Sequence, residues 1–374
     1  MFDIALGIFL FLSPIFVLPA NSAKINGFFA ALQFYQFKTL SLGNGIVQYQ
    51  FFQYGVLILF ILALTQKVLR NFTDKNLAWF LGLCALSIVF HPRTISDFIP
   101  IFLGILLYYL IVVYAKNIKK LLYIIAGVST LNTLFAVLQF FGIHLIYKYA
   151  GNITGLMCSS SHLGTYQALA LPICYTIHPA LSIIPLISLL LSKSTTALLA
   201  SIAGMIYLWF PKRKKIFASL FTPMGLTILF GSLIVLTVRN YHYILCKFTM
   251  RLGLWFEILK QIIKKPFGYG LGIFSLLSDK FYSYQGHWEW VYNEYLEIIF
   301  CIGIVSLYFI IRFLGDKFNG VGFGIERTIA ASCLIVAIIC LGQPAMHFAR
   351  LTGTIIPLFA FLEILKRKER ILCS

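Results

Sequence analysis

Charge is scarce in this 374-residue chain. Asp, Glu, Lys and Arg make up 11% of it, against 60% apolar residues, whereas soluble domains carry roughly 25% charged residues. That shortage excludes an ordinary soluble domain, because a chain of this length cannot hide so much apolar surface in its own core. Lipid can take it. A helix closes its backbone hydrogen bonds internally and needs only about 20 apolar residues to span a bilayer. Acidic residues are scarcer still, 12 against 30 Lys and Arg, which leaves a formal net charge of +18. No nucleic-acid-binding pattern accompanies that excess, so the basic residues read as loop anchors held against anionic lipid.

Metal and redox motifs are missing too. The sequence has no HExxH and no DxD, and its seven His residues do not group at ligand spacing. The eight Cys residues (Cys84, Cys158, Cys174, Cys246, Cys301, Cys333, Cys340 and Cys373) form no CxxC pair, and most sit in apolar runs. They read as small core fillers. There is no internal repeat and no stretch polar enough for a soluble domain. The first apolar run, Ile4 to Pro19, lacks the basic start of a secretory signal, with Asp3 its only early charge. It reads as a retained first helix.

What is present is a succession of apolar runs. They predict an all-α, polytopic transmembrane bundle of about twelve helices, ten at the fewest, forming a single integral membrane domain. The spans fall near 4–20, 47–65, 77–91, 98–115, 121–143, 164–177, 179–192, 195–210, 216–238, 291–311, 328–343 and 351–365. Segment 25–40 is apolar but carries Lys24 and Lys38, which suits an interfacial path. Lys and Arg crowd the loops of one side: Lys67 to Lys75, Lys116 to Lys120, Lys212 to Lys215, Arg312 to Arg327 and Lys366 to Arg370. The short loops of the other side hold far fewer, which places both termini in the cytoplasm.

The other side carries one long loop, about 239–290, expected to contain short helices. It holds Arg239, Lys247, Arg251, Lys260, Lys264, Lys265 and Lys280 against Glu257, Asp279 and Glu289. Basic residues on the outer face run against the usual bias. Two readings fit them: an anionic ligand such as a lipid diphosphate, and plain headgroup contact. Leu252, Trp255, Phe256, Leu259 and Ile263 have helical spacing, and Lys264-Lys265-Pro266 ends the run, so a surface helix against the membrane is expected. Gly268-Tyr269-Gly270-Leu271-Gly272 resembles a phosphate cradle but lacks the strand and helix context. A tight turn is the better reading, although its backbone amides suit phosphate.

The next stretch, Tyr292-Asn293-Glu294-Tyr295-Leu296-Glu297, brings two carboxylates and an Asn to the mouth of a helix. Glu294 and Glu297 are i, i+3 neighbours and share a face. Gly303, eleven residues past Tyr292, is expected beneath it on one stripe, with Ser306 helping a second helix approach. His287 lies between aromatic residues and close to Glu289. A carboxylate at a membrane mouth points to function, while a solvated helix end with belt tyrosines is the structural alternative.

These residues resemble a family, the bacterial O-antigen ligases and the related O-antigen polymerases. Its signature is His-Asn, nine residues, then Gly-x-x-Gly, opening a helix after a large periplasmic loop. Here the frame holds as Tyr292-Asn293, nine residues, then Gly303 and Ser306, with Tyr for the His and Ser for the last Gly. Arg251-Leu252-Gly253-Leu254-Trp255 and Pro266 to Gly272 resemble its Arg…Trp…Pro-x-Gly-x-Gly loop. Ser194-Thr195-Thr196-Ala197 resembles its Ser-Arg-Gly-Ala helix start, with Thr195 where Arg is usual, and Gly155 to Pro172 and Gln139 to Gly142 also fit. The resemblance covers about 130–310.

The resemblance implies a multi-pass inner-membrane glycosyltransferase, independent of metals and cofactors, whose site faces the periplasm. Its donor would be a glycan on undecaprenyl diphosphate, and its acceptor a glycan or a lipid A-core-type sugar. Arg251 would neutralise the leaving diphosphate, with Lys264 and Lys265 as helpers and Arg350, in the last external turn, as a further candidate. Tyr292, Asn293, Glu294 and His287 would be the catalytic set. A Tyr near pKa 10 is a poor base beside a His near 6.5. Three readings stay open: Glu294 or His287 supplies the base; the family His only orients substrate; or the chain is an inactive relative. Ligase and polymerase are not separated by these residues. A transporter is the rival class, but it would carry charges at mid-membrane and often paired halves, whereas the predicted spans have few charges at their centres and no half matches the other.

Overall fold

The computed structural model describes residues 1–15, 43–65, 74–90, 95–143, 153–157, 159–209, 241–281, 290–347 and 349–373. These residues form fourteen α-helices and no strand. The first four are α1 (Phe2–Ile15), α2 (Gly43–Thr65), α3 (Lys75–Phe90) and α4 (Ile95–Tyr114). α5 (Ile118–Phe140) and α6 (Ser160–Ile177) follow. A 3-10 turn, Pro179–Ser182, then leads into α7 (Ile183–Leu191), and α8 is Thr195–Trp209. α9 (Tyr241–Lys264), α10 (Ile273–Phe281), α11 (Glu294–Ile302) and α12 (Ile304–Phe318) come next. The chain ends with α13 (Ile325–Ile339), a 3-10 turn at Ala345–His347, and α14 (Ala349–Cys373).

α13 is the central post, packed on α6, α8 and α14. Ile329, Ala330, Ala331, Cys333, Ile335 and Ile339 are buried on its several faces, and their small members let neighbours come close. Gly204 of α8 sits so near Ile335 that a Cβ there would collide with it. Buried polar groups bridge the helices. Ser332 donates to the Leu169 carbonyl at 2.8 Å, and Gln167 of α6 donates to the Ser129 carbonyl of α5 at 3.1 Å. Each satisfies a hydroxyl or amide that would be costly to bury alone. A smaller apolar cluster joins α3, α9, α10 and α11 through Cys84, Leu254, Ile258, Phe274 and Phe300.

Two ends of the bundle are polar. At one, Lys317 is 2% exposed and pairs with Asp74 at 3.0 Å and Glu363 at 2.7 Å. Arg367 completes this latch on Glu363 at 2.7 Å. The other end is the turn between α13 and α14. Glu363 stands fourteen residues along α14 from Ala349, about 21 Å at the helical rise. Between them Leu351, Ile355, Leu358 and Phe361 are buried. The outside is apolar as well: Ile4, Ile58, Trp79, Tyr308 and Ile311 are all more than half exposed. One described helix, α5 at 23 residues, is long and apolar enough to cross a membrane by length and composition.

Several expectations change. The expected surface helix over 252–263 is the C-terminal half of α9, 24 residues long and ended at Lys264 as predicted. Its loop holds a second, nine-residue helix, α10, in keeping with the short helices expected there, although the spacing gave no position for it. The expected span 179–192 shortens to a 3-10 turn and the nine-residue α7, about 14 Å of rise. The expected continuous helix through Gly303 is broken there into α11 and α12, with Gly303 at φ 103°. Segment 25–40, span 216–238 and His287 lie outside the described residues.

Candidate active site

The break at Gly303 arises from a crossing of backbones. A Cβ on Gly303 would stand 2.8 Å from the Pro266 oxygen, and one on Gly268 would stand 2.5 Å from the Cys301 oxygen. The glycine turn therefore lies flat on the seam between α11 and α12. Ile304 donates its amide to the Pro266 carbonyl at 2.9 Å, and Tyr269 and Gly270 donate theirs to Phe300 and Cys301, each at 2.8 Å. Leu271 donates to the Ser87 hydroxyl at 3.2 Å. With these amides engaged, the turn does not cradle phosphate. It is a structural clasp. The partner of Gly303 is thus an extended segment and not a helix, and Ser306 turns back onto the Gly303 carbonyl.

The clasp fixes where α11 begins. Asn293 is its N-cap, accepting the Leu296 amide at 3.1 Å, the usual task of Asn at a helix start. Tyr292 lies outside the helix at φ 58°, a left-handed backbone uncommon for a residue with a Cβ. It is therefore not stacked above Gly303 on one stripe. Its ring lies under the Arg251 guanidinium, 4.8 Å from centroid to Cζ, a cation–π contact. Arg251 also donates to the Gly342 carbonyl at 2.8 Å. Trp255, one turn on, donates to the Val291 carbonyl at 2.9 Å.

Glu294 and Glu297 share a face as expected, and that face meets the turn before α14. Glu294 Oε1 accepts the Met346 amide at 2.7 Å and faces His347 Nδ1 at 3.2 Å. Glu297 Oε1 lies 3.0 Å from His347 Nε2, and its Oε2 accepts the Val291 amide at 3.1 Å. The Trp290 ring covers the imidazole at 4.3 Å between centroids. The carboxylate side chains are 6% and 11% exposed, while His347 is 25% exposed. Burial alone would push His347 toward its neutral form, but Glu297 and then Glu294 outweigh it and hold the imidazole well above its usual range.

The same turn gathers a third segment. Gln343 accepts from Thr165 and donates to Ser194, each at 3.1 Å, and the Glu294 amide donates to the Cys340 carbonyl at 2.9 Å. Residues 340–347 are thus the hub on which α6, α8, α9 and α11 converge. Sequence reasoning missed His347, Trp290 and Gln343. The available signal was Gly-Gln-Pro-Ala-Met-His, a polar run between two apolar spans.

Lys264 and Lys265 are not part of the cluster. Both are exposed, and thirteen residues of helix separate Lys264 from Arg251, about 20 Å. Lys265 lies over the Tyr269 ring instead. Arg350 falls in the first turn of α14, with its side chain outside the description. Among the described residues no group of His, Cys, Asp and Glu could hold a metal ion.

The site is therefore a partly exposed imidazole on two buried carboxylates beside an arginine held on a tyrosine ring, at one end of an all-helical bundle. No protein-family model matches the chain, and no curated protein matches it.

Proposed function

We propose that the chain is an integral membrane glycosyltransferase of the O-antigen ligase type. It moves a glycan from undecaprenyl diphosphate to an acceptor sugar on the outer face of the inner membrane. The observation that carries this reading is convergence. Ser194, Arg251 and Tyr292 to Glu294, on which the family resemblance rests, lie up to a hundred residues apart, yet Ser194, Arg251 and Glu294 all bond residues 342–346, and Trp255 bonds Val291 beside Tyr292.

The membrane reading draws on the many large apolar side chains left exposed, Ile4, Ile58, Trp79, Tyr308 and Ile311 among them, and on α5, which is long and apolar enough to cross a membrane. The bundle then threads the bilayer ten to twelve times. Its Lys317 end, followed by Lys366 to Arg370, faces the cytoplasm, and its Arg251 end faces outward.

In the reaction the acceptor hydroxyl attacks the anomeric carbon and gives up its proton to a carboxylate. The bond to the diphosphate breaks, and its electron pair leaves with the phosphate oxygen. Arg251, held in place before substrate arrives, neutralises that charge, and a preorganised cation in a low-dielectric site suits the task. Arg251→Ala is expected to abolish transfer while the protein still inserts and accumulates. Retained transfer would remove Arg251 from the mechanism.

A further inference from the structure

The resemblance puts the family's signature histidine at Tyr292, and that ring packs under Arg251. His347 arrives at the same carboxylate from the other side of the site. Its two ring nitrogens each face a different carboxylate, at 3.2 Å and 3.0 Å. With both carboxylates ionised, each contact needs a donor nitrogen, and only the doubly protonated ring supplies two. The carboxylates are fixed in turn by the Met346 and Val291 amides, and Trp290 closes one face of the imidazole. The cluster is more than an acidic patch. Its imidazole bridges the two carboxylates and is its most exposed member.

We propose that His347 is a standing imidazolium that clamps Glu294 and Glu297 in one geometry and thereby positions Glu294 as the base for the acceptor hydroxyl. This rests on the glycosyltransferase reading for the identity of the acceptor, but not for the clamp. His347 is a positioning residue: Glu294 takes the hydroxyl proton, and the imidazolium keeps the two carboxylates from repelling each other. Among the described residues, the other titratable groups beside the cluster include Arg251 from α9, held on the Gly342 carbonyl, Cys340 just past α13, and Tyr295 of α11, which donates to the Ala337 carbonyl.

Two measurements on the full-length reconstituted protein test it. In the first, nitrogen-15 histidine spectra are recorded across pH, and His347 is assigned by its loss in His347→Gln. Both ring nitrogens are expected to stay protonated at pH 7.5, where a free imidazole is mostly neutral, and Glu297→Gln should lower the titration midpoint. A neutral His347 at pH 7.5 would overturn the clamp.

In the second, transfer is followed against pH. The wild type should lose kcat on the alkaline side, and His347→Gln should cut kcat about tenfold or more with donor KM unchanged. His347→Arg, whose fork stays charged and can span two carboxylates, should recover most of kcat and lose the alkaline limb. Equal loss in the Arg and Gln variants, with no change in the pH profile, would reduce His347 to a packing residue. A protonated His347 in a protein that transfers nothing would sink the glycosyltransferase reading and leave the clamp standing.

Discussion

Arg251 does two things at once that suit its planar fork better than a lysine. Its planar guanidinium lies on the Tyr292 ring while one nitrogen donates to the Gly342 carbonyl, and a compact ammonium has neither the plane nor the fork. Arg251→Lys is therefore expected to lose about tenfold or more of the transfer rate, measured as kcat/KM in membranes. His347 makes a second residue-scale statement, this one about stability. Its folded pKa is raised, so the contribution of its proton is complete below the free value near 6.5. That contribution is lost as pH rises through the folded value. The melting temperature should fall progressively as pH rises from about 6.5 toward the folded value, and His347→Gln should flatten that fall. A wild-type curve that stays level from pH 6 into alkali would contradict the raised value.

Among the elements, the seam of α11, α12 and the 266–270 turn is the least forgiving place. Gly303 and Gly268 both have positive φ and backbone atoms where a Cβ would go. Gly303→Ala and Gly268→Ala should each cost about 2 kcal/mol or more, read as lower melting temperature and less folded protein. Gly82, inside α3 with open space around it, is the control: Gly82→Ala should be neutral or stabilising by up to about 1 kcal/mol.

This seam also shows where sequence reading stops. Gly303 and Ser306 look the same in sequence whether a helix or a crossed turn approaches, so the break in the predicted span 291–311 was hidden. The end of α9 was legible because Lys264-Lys265-Pro266 combines a basic last turn with a residue that cannot continue a helix. The shared face of Glu294 and Glu297 was legible from helical spacing alone. His347 was not, because its partners lie fifty or more residues away and no local period links them. The separation of Lys264 from Arg251 was in principle readable. One continuous helix carries both, and its rise sets the distance.

At the scale of the whole molecule, many large apolar side chains stand exposed among the described residues, Ile58, Trp79 and Ile311 among them. The Lys317–Asp74–Glu363 latch and the Glu294–His347–Glu297 cluster lie at opposite ends of the α14 region. On the membrane reading, a periplasm-active reporter fused near residue 275 should work and one near 214 should not. The reverse pattern would invert the bundle. The most direct test of the central claim is transfer of a glycan from undecaprenyl diphosphate to acceptor sugars in proteoliposomes, comparing wild type with Glu294→Gln. Transfer by the wild type, reduced about a hundredfold or more in the variant, is the result the proposed chemistry requires. No transfer to any acceptor by well-folded wild-type protein, or equal transfer by both, would contradict it.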